Sequence, residues 1–161
     1  MSAALHILID ILIFTCGSRQ DHREKVLCVL DKLMEAGLSL DIDNCEFEVR
    51  IVKYLGFIIE AGVGIRMDPA KVEAIMEWAA PTTQKGIRSF VGFANYYRIF
   101  IEDFAEIIRP LTELTGKDTA FRWTDREEEA FQTMKTKFIT APVLAQFDPE
   151  KETRLEADSS G

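Results

Sequence analysis

The sequence is poor in the residues that build metal sites and disulfide frameworks. Its three cysteines, Cys16, Cys28 and Cys45, are odd in number and lack CxxC spacing. This pattern favours reduced, partly buried thiols over a zinc site or paired disulfides. The two histidines, His6 and His22, are far apart and have no ligand partner at helical spacing, so they are interpreted as structural or surface residues.

Net positive charge is also lacking. The chain has 19 Lys and Arg residues against 27 Asp and Glu residues, which gives a formal net charge of −8. A surface that coats nucleic acid needs clustered basic side chains facing the phosphates, so the composition argues against a generally basic surface. The one stretch that is not acidic is residues 85–109, with four basic and three acidic residues.

No apolar run approaches the roughly 20 residues that span a bilayer, so no membrane partner is expected. Residues 3–14 form an apolar run followed by small residues, which loosely resembles a secretory signal. However, a basic segment does not precede the run, and His6 and Asp10 interrupt it. The favoured location is intracellular, either cytoplasmic or nuclear, and secretion remains an alternative.

The first part of the chain has the pattern of short strands around one helix. Residues 6–14 are dense in Ile and Leu and predict a strand, whereas residues 21–36 have apolar positions at helical spacing and end at Gly37. The short segments 46–49, 53–59 and 65–67 suggest a small antiparallel hairpin system.

The second part of the chain is predicted to be helical. Asp68 and Pro69 begin one helix, Thr82 or Thr83 caps the next, and Pro110 opens a third that runs through Leu114. The expected inward residues are Val72, Ile75 and Met76 in the first helix and Ile87, Phe90, Val91, Ala94 and Tyr97 in the second.

A long helix is predicted at residues 125–138. Phe131, Met134 and Phe138 are expected to face inward, and the acidic residues 127–129 are expected to form a solvated helix start. Residues 155–158 suggest the beginning of another strand. Strands come first and helices follow, without βαβ alternation, so the sequence predicts an α+β fold.

Four consecutive segments carry recognisable motifs. They are NCEFEVRIVKYLGFII at 44–59, IRSFVGFANYYRIFIEDFAEIIRPLTELT at 87–115, FRWTDREEEAFQTMKTKFITAPVL at 121–144 and LEADSSG at 155–161. In this order they resemble the primer grip, the thumb, the linker helix and the first ribonuclease H strand of the reverse transcriptase in gypsy-class long-terminal-repeat retrotransposons. The resemblance implies a palm remnant with the primer-grip hairpin at residues 1–68, a helical thumb at 69–118, and the linker helix with a truncated ribonuclease H strand at 119–161.

The catalytic motifs of that family are incomplete in this sequence. The family's Tyr-x-Asp-Asp strand aligns with residues 7–10, where Ile9 replaces the first Asp and Asp10 remains. Two-metal phosphoryl transfer needs carboxylates that hold two ions about 3.5–4 Å apart, and Ile9 cannot bind a metal. The family's first ribonuclease H carboxylate falls on Asp158, without the acidic partners that such a site needs.

The family is an RNA-directed DNA polymerase with ribonuclease H activity, and its intact members use Mg²⁺. The earlier palm and the fingers have no counterpart in this sequence. The chain is therefore expected not to be an enzyme and to hold no metal or cofactor. Asp10 is expected to face water, since an isolated buried charge would be costly.

Two motifs are candidates for nucleic-acid binding. Arg88, Gly92 and Tyr96 repeat every four residues and form one ridge of a helix, away from its core face. The resemblance implies a track against the minor groove of a template–primer duplex. The alternative is packing against the following helix, with Gly92 allowing close approach.

For Tyr54, Leu55 and Gly56, together with Phe57, the resemblance implies a grip on the 3′ end of the primer. The alternative is that these side chains form the core of a hairpin, because Tyr, Leu and Phe are commonly buried on a sheet.

The sequence thus predicts a catalytically incomplete reverse-transcriptase fragment that binds RNA–DNA or DNA duplexes weakly through its thumb. The alternative is a transposon-derived protein repurposed as a protein-interaction module. This alternative includes a secreted form of the protein. The strand at residues 6–14 has lost its family neighbours, and such an exposed apolar edge predicts homodimerisation.

Overall fold

The computed structural model describes residues 10–15, 17–117 and 119–145. Within these ranges, three short antiparallel strands and five α-helices confirm the predicted α+β fold. The elements are α1 (Arg19–Glu35), β1 (Ile51–Tyr54), β2 (Phe57–Glu60), β3 (Gly64–Met67), α2 (Pro69–Met76), α3 (Gln84–Tyr96), α4 (Phe104–Glu113) and α5 (Asp125–Ile139).

Helix α1 begins at Arg19, two residues before the predicted start at residue 21, and it ends just before Gly37 as the sequence predicts. The Ser18 hydroxyl oxygen accepts a hydrogen bond from the Asp21 amide (3.1 Å), and Gly37 follows the helix with a φ of 69°. Such a left-handed glycine closes the helix with little strain. No residue of α1 is buried, and Met34 is 73% exposed. On the apolar face of α1, Val26, Val29, Leu30 and Leu33 are partly buried, whereas Met34 is exposed.

The strands form a three-stranded meander in the order β1-β2-β3, which confirms the predicted antiparallel hairpin system. A two-residue turn joins β1 to β2, and both of its residues have positive φ, 48° at Leu55 and 80° at Gly56. The prediction of one continuous segment over residues 53–59 was wrong. The segment is rich in apolar residues, so its pattern resembles one strand, although the backbone reverses direction at Gly56.

The segment 46–49 is not a strand. Glu48 has a left-handed φ of 54°, and its carboxylate forms ion pairs with Arg19 and Arg23 of α1. The hydrogen bond from Arg23 is the first cause of a lowered pKa for Glu48. These contacts join this segment to α1, and its backbone does not pair with the sheet.

The predicted N-terminal strand is not formed where the structure describes it. Residues 10–14 have no regular secondary structure, and residues 6–9 lie outside the described ranges. A strand needs a row of backbone hydrogen bonds to a neighbouring strand. Here the Tyr54 hydroxyl donates one hydrogen bond to the Asp10 carbonyl oxygen (2.9 Å). Asp10 is exposed, as expected. Homodimerisation stays a prediction.

Helices α2 and α3 follow their predicted caps. The Asp68 carboxylate accepts from the Ala70 amide (3.1 Å), Pro69 is the first residue of α2, and the Thr83 hydroxyl oxygen accepts from the Gly86 amide (3.1 Å). The predicted inward face of α3 is largely confirmed, because Ile87, Phe90, Ala94 and Tyr97 are buried and Val91 is half-buried. In α2, Ile75 is buried and Val72 half-buried, but Met76 is 40% exposed, so its inward assignment was wrong.

Helix α4 begins at Phe104, six residues before the predicted start at Pro110. Proline lacks an amide hydrogen and usually marks a first turn, which led to the later start. Here the helix continues through Pro110, and burial of Ile108 and Leu111 on either side of it offsets the missing hydrogen bond.

Helix α5 confirms the predicted long helix, and Phe131, Met134 and Phe138 are buried. The expectation of a solvated acidic start was wrong for Glu127, which is buried. Its carboxylate accepts from the Thr124 amide (2.9 Å) and from the Thr124 hydroxyl, completing a capping box. These bonds, the hydroxyl one first, hold the pKa of Glu127 below its usual range.

One hydrophobic core joins β3 to helices α2–α5. Phe90 lies near its centre, with ring centroids 4.6 Å from Phe131 and 5.7 Å from Trp78. Its buried members are Met67, Ile75, Ile87, Phe90, Ala94, Tyr97, Phe100, Ile101, Ile108, Leu111, Leu114, Ala130, Phe131, Met134 and Phe138. The predicted thumb and linker segments therefore share one core.

The segment after α5 returns to the sheet. Ile65 and Leu144 exchange two backbone hydrogen bonds, each 2.8 Å, at the outer edge of β3. Gly64 permits this approach, since its φ is 146° and an added Cβ would lie 2.1 Å from the Leu144 carbonyl oxygen. We call this pair of hydrogen bonds the Ile65–Leu144 bridge.

Candidate nucleic-acid interface

Arg88, Gly92 and Tyr96 lie on the exposed face of α3. Arg88 and Tyr96 are eight positions apart along the helix, so this ridge is about 12 Å long. The core face of the same helix points into the protein, which leaves the ridge accessible.

Gly92 has open space in front of it. An added Cβ would meet no heavy atom of the described chain within 4 Å. A glycine required for close helix packing would have a neighbour at that distance. The packing alternative therefore finds no contact at Gly92 among the described residues.

Arg88 contacts the chain just beyond α4. Its Nη2 donates to the Thr115 carbonyl oxygen (2.9 Å), so a packing role does account for part of this side chain. A guanidinium has five N–H donors, and this hydrogen bond uses one of them. The exposed side chain can still offer donors to a phosphate or a base edge.

Tyr96 joins the ridge to the hairpin. Its hydroxyl donates to the Leu55 carbonyl oxygen (2.6 Å), and its ring stacks on Phe57 with a centroid separation of 5.4 Å and an interplanar angle of 16°. The side chain remains 49% exposed. The two motifs that the sequence singled out separately are thus brought together at this point.

Tyr97 supports the same turn from inside the protein. Its hydroxyl donates to the Gly56 carbonyl oxygen (3.3 Å), which also accepts from the Asp68 amide (3.2 Å). An added Cβ on Gly56 would lie 2.7 Å from the Tyr97 hydroxyl oxygen. Burial raises the pKa of Tyr97. The sequence predicted Tyr97 as a core residue, which is confirmed, but its contact with the turn was missed.

The hairpin residues divide between surface and core. Leu55 is 52% exposed, Tyr54 and Gly56 are half-buried, and Phe57 packs against the core. Phe57 therefore fits the alternative in which these side chains form the core of the hairpin, whereas the exposed Leu55 side chain is accessible to a ligand. A role for Tyr54, Leu55 and Gly56 in binding nucleic acid stays a prediction.

Basic side chains flank the turn. Lys71 lines a shallow groove together with Leu55, Gly56, Phe93, Tyr96 and Tyr97. Lys53 pairs with Asp68 (3.3 Å), and the pKa of Asp68 is lowered, first by the Ala70 amide and then by Lys53. The sequence did not single out either lysine, since neither belongs to a basic cluster along the chain.

The remaining site candidates are the carboxylates Asp10 and Asp158. Asp158 lies outside the described residues, as does Ile9 beside Asp10, and Asp10 is exposed at the start of the first described range. Within the part of the chain that the structure describes, no three His, Cys, Asp or Glu residues form a group that could hold a metal ion. In the same part, every helix is too short or too polar to cross a membrane.

The fold is similar to that of reverse transcriptases. The structure of the foamy viral protease-reverse transcriptase in complex with double-stranded DNA superimposes with a TM-score of 0.71 and 27% sequence identity, over 85% of this chain and 24% of that one. The same viral protein in complex with an RNA/DNA hybrid also gives a TM-score of 0.71, over 85% of this chain and 19% of that one.

Relatives of the chain include retrotransposon polyproteins. The retrovirus-related Pol polyprotein from transposon 297 of Drosophila melanogaster is 38% identical over 152 residues, and the transposon Tf2-3 polyprotein of Schizosaccharomyces pombe is 34% identical over 151 residues. Each alignment covers 94% of this chain, which spans 14% and 11% of the two polyproteins.

A family profile agrees with these relatives. Residues 123–161 match the RNase H-like domain found in reverse transcriptase. The predicted resemblance to the reverse transcriptase of retrotransposon Pol polyproteins is confirmed.

Proposed function

We propose that the chain lies against a template–primer duplex, as the thumb and primer grip of a gypsy-class reverse transcriptase. The ridge Arg88, Gly92 and Tyr96 follows the minor groove, and the turn Leu55–Gly56 lies beside the primer strand. The observation that carries this proposal is the hydrogen bond from Tyr96 to Leu55, which makes the two motifs one continuous surface. The proposed divisions are residues 1–68 for the palm remnant, 69–118 for the thumb and 119–161 for the linker with the ribonuclease H strand.

The chemistry of the ridge suits contact with the sugar–phosphate backbone and the groove. Gly92 allows a strand to approach the helix closely, Arg88 provides hydrogen-bond donors, and Tyr96 provides a flat ring. The structural neighbours were solved with double-stranded DNA and with an RNA/DNA hybrid, which supports the same class of ligand here. The net charge of −8 makes weak binding the expected outcome.

Gly92→Gln provides the sharpest test of this proposal. A glutamine here meets open space, and glutamine is a better helix former than glycine, so the variant should fold at least as stably as the parent chain. Its side chain would nevertheless stand where the duplex approaches. We expect the Kd for a labelled RNA–DNA hybrid to rise about tenfold, a loss of roughly 1.4 kcal/mol. Fluorescence anisotropy at several salt concentrations measures the affinity, and urea unfolding measures the stability.

Ala74→Gln is the matched control, because Ala74 is an exposed small residue on α2. It should leave the affinity unchanged. A Gly92→Gln variant that is destabilised would instead support the packing alternative. A stable variant that binds the hybrid as tightly as the parent chain would contradict the minor-groove track.

We further propose that the chain does not polymerise DNA by itself. Ile9 replaces a carboxylate that two-metal catalysis needs. Primer extension on a hybrid template, with Mg²⁺ and separately with Mn²⁺, is expected to give no incorporation. An active reverse transcriptase in parallel confirms that the assay works. Nucleotide incorporation by the purified chain would refute this proposal.

The acidic composition favours one alternative, a protein-interaction module. The same binding experiment separates the two functions. A hybrid affinity that falls as salt rises supports duplex binding, whereas no binding even at low salt, together with specific capture of a protein partner, supports the alternative.

A further inference from the structure

We infer that Tyr96 and Tyr97 act together as a latch that fixes the turn Leu55–Gly56 on the end of α3. The latch makes the ridge and the turn a single preorganised surface. Its effect on duplex binding rests on the proposed function, but its effect on the free protein does not.

The two hydroxyls are matched to two consecutive carbonyl groups. Tyr96 donates to the Leu55 oxygen and Tyr97 to the Gly56 oxygen, in each case across 41 residues of sequence. Because Leu55 and Gly56 are the two turn residues between β1 and β2, they stand outside the paired register of the strands. The Leu55 carbonyl accepts from Tyr96, and the Gly56 carbonyl, which also accepts from the Asp68 amide, accepts a second hydrogen bond from Tyr97.

The rings hold the hydroxyls in place. Phe57, the first residue after the turn, stacks on Tyr96 and makes an edge contact with Tyr97 at a centroid separation of 5.4 Å. Tyr97 also meets Phe138 of α5 edge-on at 6.0 Å. The latch is therefore anchored in the core through Tyr97, while Tyr96 stays half exposed beside the ridge.

A fixed turn favours binding because fewer conformations are lost on contact with a ligand. Leu55 is 52% exposed, so its position relative to the ridge is determined by the latch more than by burial of its own side chain. The two tyrosines are positioning residues in this scheme. Tyr96 has a second role, since it also belongs to the ridge.

The variants Tyr96→Phe, Tyr97→Phe and the double variant remove the hydroxyls and keep the rings. Amide hydrogen exchange in the free protein is measured at residues 54–57 and at Asp68, whose amide donates to Gly56. Each single variant should exchange about fivefold faster there, the usual effect of one hydrogen bond, and the double variant faster still. The urea midpoint should fall only slightly, because each hydroxyl bond stabilises the native state against global unfolding by the same factor of about five.

The hybrid affinity of the double variant should fall about fivefold to tenfold, mainly through faster dissociation. Ser89→Ala is the control, because it removes another α3 hydroxyl, one that donates to the Lys85 carbonyl oxygen, and it should leave turn exchange unchanged. Unchanged turn exchange in the double variant would overturn the latch. Faster exchange with unchanged hybrid affinity would overturn its positioning role. If even the parent chain fails to bind the hybrid, the proposed function fails, and the exchange data still decide whether the latch exists.

Discussion

Replacing Phe90 with alanine is expected to lower the free energy of unfolding by about 3–5 kcal/mol. Phe90 is fully buried, and its ring lies between Phe131 of α5 and Trp78, the residue two positions after α2. Removing the ring takes away contacts with both neighbours and leaves a cavity that helices held by the rest of the core cannot fill completely. The loss should therefore lie near the upper end of the range for single substitutions.

Urea unfolding followed by tryptophan fluorescence measures this loss, because Trp78 and Trp123 lie against Phe90 and Phe131 respectively. Phe121→Ala is a suitable control, since Phe121 is 37% exposed and its removal should cost much less. A change below about 1 kcal/mol for Phe90→Ala would mean that the core face of α3 is wrongly assigned.

Gly64→Ala is expected to break the Ile65–Leu144 bridge. The glycine has a φ of 146°, which is a conformation essentially restricted to glycine, and an added Cβ would lie 2.1 Å from the Leu144 carbonyl oxygen. That oxygen belongs to the backbone and cannot rotate away as a side chain could. The strain and the lost hydrogen bonds together should cost about 2–4 kcal/mol, and the segment 141–145 should separate from β3.

Gly62→Ala separates the two causes. Gly62 also has a positive φ, 78°, but an added Cβ there meets no described atom within 4 Å. It should show the conformational cost alone, roughly 1–2 kcal/mol. Amide exchange at Ile65 and Leu144 follows the bridge directly. Retained protection of both amides in Gly64→Ala would contradict this account.

The helices were predictable because their signals are local. The caps Asp68 and Thr83, the C-terminal Gly37 and the core spacing of α3 each depend on residues within one or two turns of helix. The errors arose where distant contacts outweigh the local pattern. Pro110 is tolerated inside α4 because its neighbours are buried, and Glu127 is buried because Thr124 satisfies its carboxylate.

The candidate interface was predictable only in parts. The resemblance identified the ridge at Arg88, Gly92 and Tyr96 and the hairpin at residues 54–57, but it did not predict how they meet. Each of the two hydroxyl hydrogen bonds that join them links residues 41 positions apart in the sequence. Hydrophobic periodicity and helix capping are local patterns and cannot predict such a contact. The turn itself was hidden, since Leu55 lies in an apolar stretch that reads as a continuous strand.

The Ile65–Leu144 bridge also determines how the protein carries mechanical load. Tension applied beyond residue 145 would pass through two short hydrogen bonds into β3 before it reached the end of α5. The bridge closes a loop of chain between residues 65 and 144, and this loop contains helices α2–α5. Those helices are thus shielded from stretching until the bridge opens, so that the small sheet acts as the first mechanical element of the chain.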